Sequence, residues 1–200
     1  EHSVMCAGGE LSERATFERL MDLYPSGPVA VVSDTWDLWK VITEVLPTLK
    51  GRIMTRDGKL VIRPDSGDPV DILCGDLRAP KGSPASKGVV QLLFEIFGGT
   101  RTQTSHYQLD SHIGAIYGDS ITYDRAADIV DRLAQKGFAS TNVVFGIGSF
   151  TYQYVTRDTF GFAMKATWAE VNGVGRDLFK SPKTGNGMKT SAKGRLAVMR

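Results

Sequence analysis

The sequence has 200 residues, of which 42% are hydrophobic and 23% charged, and its net charge is +2, which is ordinary for one soluble globular domain. This composition excludes a disordered chain, a collagen-like repeat and a disulfide scaffold, since the only cysteines are Cys6 and Cys74, without the spacing of metal ligands. No apolar stretch reaches the roughly 18–20 residues that span a bilayer, and the first residues lack a secretory-signal pattern. We therefore expect a reduced, cytoplasmic protein with no membrane partner and no resident metal. Because it opens without methionine, we also expect a segment of a longer chain.

Strand-like and helix-like segments alternate along the sequence. In chain order the patterns predict helix 12–24, strand 28–32, helix 36–46, strand 59–63, helices 69–73 and 88–97, strand 113–117, helix 122–136, strand 141–145, a short helix, and strand 162–171. Two stretches rich in glycine and polar residues, 76–86 and 98–111, are predicted to be exposed loops. The clearest helix, 122–136, has one apolar face, formed by Ala126, Ile129, Val130 and Leu133.

This alternation predicts an α/β fold with a parallel sheet and crossover helices. Two closures remain open, a doubly wound open sheet and a βα barrel. About five strands are visible, fewer than the eight of a complete barrel. No internal repeat or domain boundary is visible, so residues 1–200 are treated as one unit.

The turns after four successive strands carry the candidate chemistry. They are Ser33-Asp34, Pro64-Asp65-Ser66-Gly67, Gly118-Asp119-Ser120 and Gly146-Ile147-Gly148-Ser149. The carboxyl ends of parallel strands line the ligand site in such folds, so we expect these turns to converge. Each aspartate alone also fits a helix N-cap.

Three of these turns suit a phosphorylated sugar. Arg63, just before the second turn, can bind phosphate, and Asp65 of that turn together with Asp119 of the third can accept hydrogen bonds from ribose hydroxyls. An internal pair between Arg63 and Asp65 that only shapes the loop is the alternative. In the fourth turn, glycines before a helix can bring backbone N–H groups to a phosphate, with Arg157 nearby to neutralise it.

Charge is distributed unevenly along the chain. From Arg157 onward nine basic residues stand against three acids, whereas residues 1–156 carry about −4. A basic end can bind nucleic acid or a phosphorylated small molecule, or can simply be solvated. Aromatic residues are not interleaved with the basic ones, so we predict no nucleic-acid partner.

Read together, five motifs resemble those of nicotinamide phosphoribosyltransferases and occur in the same order. They are Glu1-His2-Ser3, Val31-Val32-Ser33-Asp34, Ile62-Arg63-Pro64-Asp65-Ser66-Gly67, Gly118-Asp119-Ser120 and Thr156-Arg157-Asp158. The resemblance runs from Glu1 to about Arg195 and is nearer the bacterial and phage branch. It implies pentosyl transfer from phosphoribosyl diphosphate to nicotinamide, giving nicotinamide mononucleotide and diphosphate in NAD salvage.

The resemblance also implies roles for individual residues. His2, Asp34 and Asp65 match catalytic positions: His2 is phosphorylated by ATP in an activating side reaction and lies at the diphosphate, and Asp34 orients it. Arg63 matches a diphosphate contact and, with Pro64 and Asp65, a mononucleotide contact. The remaining matches are a ribose contact at Gly118 and Asp119 and a 5′-phosphate site at Gly148, Ser149, Arg157 and Lys165. Ser149 departs from the Gly-Gly pair that the family has there.

For the fold, the resemblance implies part of an incomplete, TIM-like βα barrel of the type II phosphoribosyltransferases, with sites at a homodimer interface. Chain 1–200 would be its C-terminal catalytic part, and the residues that recognise the base would lie in the N-terminal half. Nicotinamide, phosphoribosyl diphosphate and ATP are the expected partners, with Mg²⁺ carried on the diphosphate. Nicotinate phosphoribosyltransferase and an inactive nucleotide-binding fragment are the alternatives.

Overall fold

The computed structural model describes residues 2–148, 153–155, 157–161, 164–184, 190–197 and 199. The α-helices are α1 His2–Cys6, α2 Glu13–Leu23, α3 Leu38–Lys40, α4 Leu46–Met54, α5 Pro69–Cys74, α6 Pro84–Lys87, α7 Val89–Phe97 and α8 Tyr123–Gln135. The strands are β1 Val29–Val32, β2 Leu60–Arg63, β3 Gly99–Arg101, β4 Tyr107–Leu109, β5 Ile113–Tyr117, β6 Val143–Phe145, β7 Trp168–Val171 and β8 Val174–Asp177. Short 3-10 turns cover Glu10–Ser12, Ser140–Asn142 and Arg157–Phe160.

A four-stranded parallel sheet forms the centre of the fold, which confirms the α/β prediction. Its strand order is β1-β2-β5-β6, and Val31 pairs with Ile62, which in turn pairs with Ala115. The spatial order follows the chain order without reversal. Each connection is therefore a parallel crossover that leaves all four carboxyl ends at one edge.

The fifth predicted strand was wrong in its extent and its partner. Residues 162 and 163 of the predicted strand lie outside the described residues; from 164 onward the observed strand, β7, covers only Trp168–Val171 and pairs antiparallel with β8 in a separate hairpin. The turn between them is Asn172-Gly173, and both residues have positive φ, 51° and 76°. An Asn-Gly pair with left-handed φ is the preferred two-residue connection of a tight hairpin, and such a hairpin cannot extend a parallel sheet.

The helix predicted at 36–46 was too short. It begins at Leu38, passes through a π-helical segment at Val41–Val45, and continues as α4 to Met54. Pro47 lies in the first turn of α4, where the missing N–H costs little because the π turn has already interrupted the regular hydrogen-bond ladder.

The predicted loop 98–111 was also wrong in part, because it contains the β3–β4 antiparallel hairpin. Its Tyr107 ring packs against Phe94 and Phe138, with ring centroids 4.8 and 5.8 Å away. The other predicted loop, 76–86, is mostly turns and ends in the short helix α6.

The core lies between the sheet and its helices. Leu60, Ile62 and Ile113 of the central strands are fully buried, and α5 packs against α8. On α8, Ile129 and Leu133 are buried as predicted, whereas Val130 lies on the exposed side. Both cysteines are free and buried. No helix in the described part of the chain has the length and apolarity needed to cross a bilayer.

Candidate active site at the strand ends

A pocket of about 480 Å³ opens at the carboxyl ends of β1, β2 and β5, a size that suits a small-molecule ligand. Helix α1 forms part of its wall, because His2 and Ser3 line it. Six of the residues predicted from the sequence are among its lining: His2, Arg63, Asp65, Gly118, Asp119 and Lys165. The first three predicted turns therefore do converge.

His2 lies at the centre of a cluster of polar side chains. Its Nδ1 is 3.1 Å from the hydroxyl of Thr35. Its Nε2 is 3.2 Å from Lys180 Nζ, 3.4 Å from a carboxylate oxygen of Asp65 and 3.9 Å from one of Asp34. Both ring nitrogens are thus engaged, and the side chain is only 16% exposed.

Asp34 lies behind the histidine and is fully buried. Its Oδ2 accepts hydrogen bonds from the backbone N–H of Asp65, at 2.9 Å, and from the Ser66 hydroxyl. Its Oδ1 has no hydrogen-bond partner among the described residues and faces the His2 ring. One carboxylate therefore fixes the turn after β2 and also places negative charge near His2.

The turn after β2 is held by two further contacts. Tyr117, fully buried at the end of β5, donates its hydroxyl hydrogen to the Gly67 carbonyl at 3.0 Å. Burial raises the pKa of Tyr117, with Asp119 adding to the effect, so the hydroxyl stays protonated and remains a donor. The Ser66 hydroxyl also lies 2.7 Å from that of Thr184. These contacts fix Asp65 at the pocket wall.

Two glycines bring the turns after β5 and β6 together. The Gly146 N–H donates to the Tyr117 carbonyl at 2.8 Å, and a Cβ at Gly146 would come within 2.7 Å of Gly118 Cα. Only glycine allows this approach. Gly118 and Asp119 line the same pocket as Asp65.

A C-terminal segment that the sequence did not implicate completes the cluster. We call residues 178–184 the strap. Its backbone N–H groups at Ser181 and Lys183 donate to the carbonyls of Thr35 and Trp36, both at 3.1 Å, and the Cys6 thiol donates to the Phe179 carbonyl at 2.9 Å. These bonds hold the strap over β1 and α1. They bring Lys180, which is only 8% exposed, to His2 and to Asp65 at 3.6 Å.

The predicted 5′-phosphate group is only partly described. Gly148 is exposed and is not among the described residues that line the pocket. Ser149 lies outside the described residues, and so does the side chain of Arg157, whose backbone opens a 3-10 turn. Lys165 lines the pocket and is exposed.

The arrangement combines charges of both signs around one pocket. Lys165, Lys180 and Arg63 can neutralise phosphate groups, while Asp65 and Asp119 can accept hydrogen bonds from vicinal hydroxyls. A sugar that carries phosphate at both ends needs this combination.

Comparison with known proteins confirms the resemblance seen in the motifs. The model of the nicotinate phosphoribosyltransferase (NAPRTase) family matches residues 1–199. The nicotinamide phosphoribosyltransferase of Acinetobacter baylyi is 58% identical over all of this chain, which covers 41% of that protein. That of Mycoplasma pneumoniae is 41% identical over 92% of this chain, which covers 41% of that protein. That of Xanthomonas campestris pv. campestris is 34% identical over 100% of this chain, which covers 40% of that protein. The chain thus spans about two fifths of the length of these relatives.

Proposed function

Because the chain belongs to the nicotinate phosphoribosyltransferase family, we propose that it forms the phosphoribosyl side of an active site that makes nicotinamide mononucleotide. The observation that carries the proposal is the cluster of His2, Asp65 and Lys180 in a pocket that Arg63 and Asp119 also line. The names of the relatives favour nicotinamide over nicotinate as the base. NAD salvage is the pathway in which such a reaction serves.

The proposed reaction is displacement of diphosphate from C1 of phosphoribosyl diphosphate by the pyridine nitrogen of nicotinamide. A C1–N bond forms while the C1–O bond breaks, and the diphosphate leaves with that electron pair. Positive charge develops on the sugar ring, and the carboxylates of Asp65 and Asp119 hold the ribose hydroxyls and stabilise that charge. Arg63 and Lys180 receive the charge of the departing diphosphate.

We further propose that ATP phosphorylates His2 as an activating side reaction. The imidazole takes the terminal phosphoryl group through a new N–P bond, and ADP leaves with the electrons of the broken P–O bond. The ring is held at both nitrogens and is mostly buried, which favours a fixed orientation for such a transfer. The negative charge of a phosphoryl group on His2 would form an ion pair with the Lys180 ammonium.

Mg²⁺ fits this site as a companion of the substrate. The described residues contain no group of three or more His, Cys, Asp or Glu side chains placed to bind a metal. Asp65 and Asp119 nonetheless offer the hard oxygen donors that Mg²⁺ prefers, next to the proposed diphosphate position. Bound there, the ion would neutralise charge on the diphosphate.

The larger fold is proposed to be an incomplete, TIM-like βα barrel to which this chain contributes four consecutive strands. The unreversed order β1-β2-β5-β6 favours a barrel, because a doubly wound sheet reverses its strand order at a switch point. The base-recognition residues and the homodimer interface would come from the rest of such a protein, so this chain alone is expected to be inactive.

The test is a chimera in which this chain replaces the matching part of the Acinetobacter baylyi relative. With nicotinamide, phosphoribosyl diphosphate and Mg²⁺, it should form nicotinamide mononucleotide, and ATP should increase the rate. The parent relative is the positive control. Product from nicotinate alone would support the related acid-specific enzyme, and no product from either base beside an active parent would support an inactive nucleotide-binding segment.

The role of His2 has its own variant. His2→Ala in the chimera should abolish the stimulation by ATP, because no imidazole remains to take the phosphoryl group. His106→Ala is the matched control, since His106 lies in the β3–β4 turn and does not line the pocket. Unchanged stimulation in His2→Ala would refute the phosphohistidine role.

A further inference from the structure

We propose that Thr35 and Lys180 are positioning residues that hold neutral His2 with its proton on Nδ1 and its Nε2 lone pair facing the pocket. The importance of this tautomer rests on the proposed function, in which His2 attacks a phosphoryl group. The tautomer itself is a property of the chain and can be measured without turnover.

Lys180 determines the state of Nε2. An ammonium group has three donor hydrogens and no acceptor lone pair, so a hydrogen bond between Nζ and Nε2 requires an unprotonated ring nitrogen. The two atoms are 3.2 Å apart, closer than Nε2 is to either carboxylate. If Nε2 carried the proton, its N–H would face the Lys180 ammonium, and two donor groups would oppose each other without an acceptor.

The position of Lys180 is fixed by its surroundings. Its backbone N–H donates to the Ser191 hydroxyl at 2.9 Å, and its carbonyl accepts from the Ser191 N–H at 3.2 Å. Its side chain is 10% exposed and lies 3.6 Å from Asp65. The Asp65 carboxylate faces the ammonium and helps to hold it beside the histidine.

Thr35 determines the state of Nδ1. A neutral imidazole has one N–H and one lone pair, so an accepting Nε2 leaves the proton on Nδ1. The Thr35 hydroxyl is fully buried and 3.1 Å from Nδ1, so its oxygen can accept a hydrogen bond from the Nδ1–H group. The strap joins both partners of the ring, because the Thr35 carbonyl accepts from Ser181, the residue after Lys180.

The carboxylates act on the ring through charge. Asp34 Oδ1 is 3.9 Å from Nε2, beyond a hydrogen bond, and its other oxygen is occupied by the β2 turn. Asp65 faces Lys180 as well as Nε2. With these groups so placed, Nε2 is the unprotonated ring nitrogen, and its lone pair, which accepts the hydrogen bond from Lys180, is the one presented to the pocket.

The test is ¹⁵N NMR of the imidazole nitrogens in the full chain. The chain has three histidines, so a His106→Gln/His112→Gln variant isolates the signals of His2. At a pH where the ring is neutral, Nδ1 should resonate as a protonated nitrogen and Nε2 as an unprotonated one. The reverse pattern, or equal averaging of the two, would overturn the proposal.

Variants then assign the cause. Lys180→Met should shift the Nε2 resonance toward the protonated position, whereas the control Lys183→Met should leave it unchanged, since exposed Lys183 pairs with Asp37 at 2.8 Å. Thr35→Val should cause the same shift, and Thr35→Ser, which keeps the hydroxyl, should restore the original pattern. A wild-type pattern in both Lys180→Met and Thr35→Val would overturn the assignment.

The two proposals fail separately. If the chimera makes no nicotinamide mononucleotide but the ¹⁵N pattern is as expected, the proposed function is wrong and the tautomer stands. If the chimera is active but Nε2 of His2 is protonated, only the tautomer proposal is lost.

Discussion

Replacing Tyr117 by phenylalanine removes one hydroxyl from beneath the candidate site and little else. That hydroxyl donates to the Gly67 carbonyl at 3.0 Å, and Tyr117 is fully buried. The lost hydrogen bond is worth about 1 kcal/mol, and because Gly67 is exposed, water can replace the donor that its carbonyl loses. We therefore expect the free energy of unfolding to fall by about 1 kcal/mol, which lowers Tm by roughly 2–4 °C in a chain of this size.

Urea unfolding followed by circular dichroism measures this change. The matched control is Tyr123→Phe, because Tyr123 is 83% exposed and its hydroxyl removal should change stability by less than about 0.5 kcal/mol. Equal midpoints for the Tyr117→Phe and Tyr123→Phe variants would refute the inference that this hydroxyl holds the β2 turn.

Two further predictions concern packing and charge. Gly146→Ala should lower the free energy of unfolding by about 1–3 kcal/mol in the same assay, because the added Cβ would come within 2.7 Å of the Gly118 backbone. The control is Gly51→Ala, in open space on α4, which should raise the free energy of unfolding by about 0.5–1 kcal/mol. Equal effects of the two substitutions would contradict the close approach. Burial, with Glu10 adding to it, raises the pKa of Glu13 to about 7, so the stability that this raised pKa contributes is full at pH 4 and is lost as pH rises through about 7. Glu13→Gln should therefore match wild type near pH 4 and exceed it by about 3 kcal/mol near pH 8, and a difference that does not depend on pH would refute the raised pKa.

The parallel sheet was predictable because short β-branched runs mark buried strands. The strands predicted at 28–32 and 113–117 differ from the observed ones by no more than one residue. The strand-end turns followed from this topology, since parallel strands present their carboxyl ends together. The family motifs then gave roles to His2 and Asp65.

The errors have identifiable physical causes. The Asn172-Gly173 pair is a hairpin signal that should have separated β7 from the parallel strands. The continuation of the helix past Pro47 depends on a π-helical segment, which no simple periodicity predicts. The exposure of Val130 depends on how α8 packs, and not on its apolar pattern.

The partners of His2 were not predictable from local sequence. Lys180 is 178 residues away and Thr35 is 33 residues away, and neither belongs to a spacing motif. The basic C-terminal quarter did suggest a phosphate ligand, but charge alone does not distinguish Lys180 from the exposed Lys183. The path of the strap makes that distinction, because it places Lys180 against His2 and leaves Lys183 exposed and paired with Asp37.

The central claim is that the phosphoribosyl group binds at these strand ends, and direct binding to the chain tests it. Titration of the full chain with phosphoribosyl diphosphate and Mg²⁺, followed by calorimetry, should show saturable binding that Asp65→Asn weakens about 10- to 100-fold, the loss expected for a charged hydrogen-bond acceptor. Asp57→Asn, an exposed change before β2 at the opposite end of the strands, should bind as wild type does. Equal affinity in the wild type and the Asp65→Asn variant, or no saturable binding in either, would contradict the account.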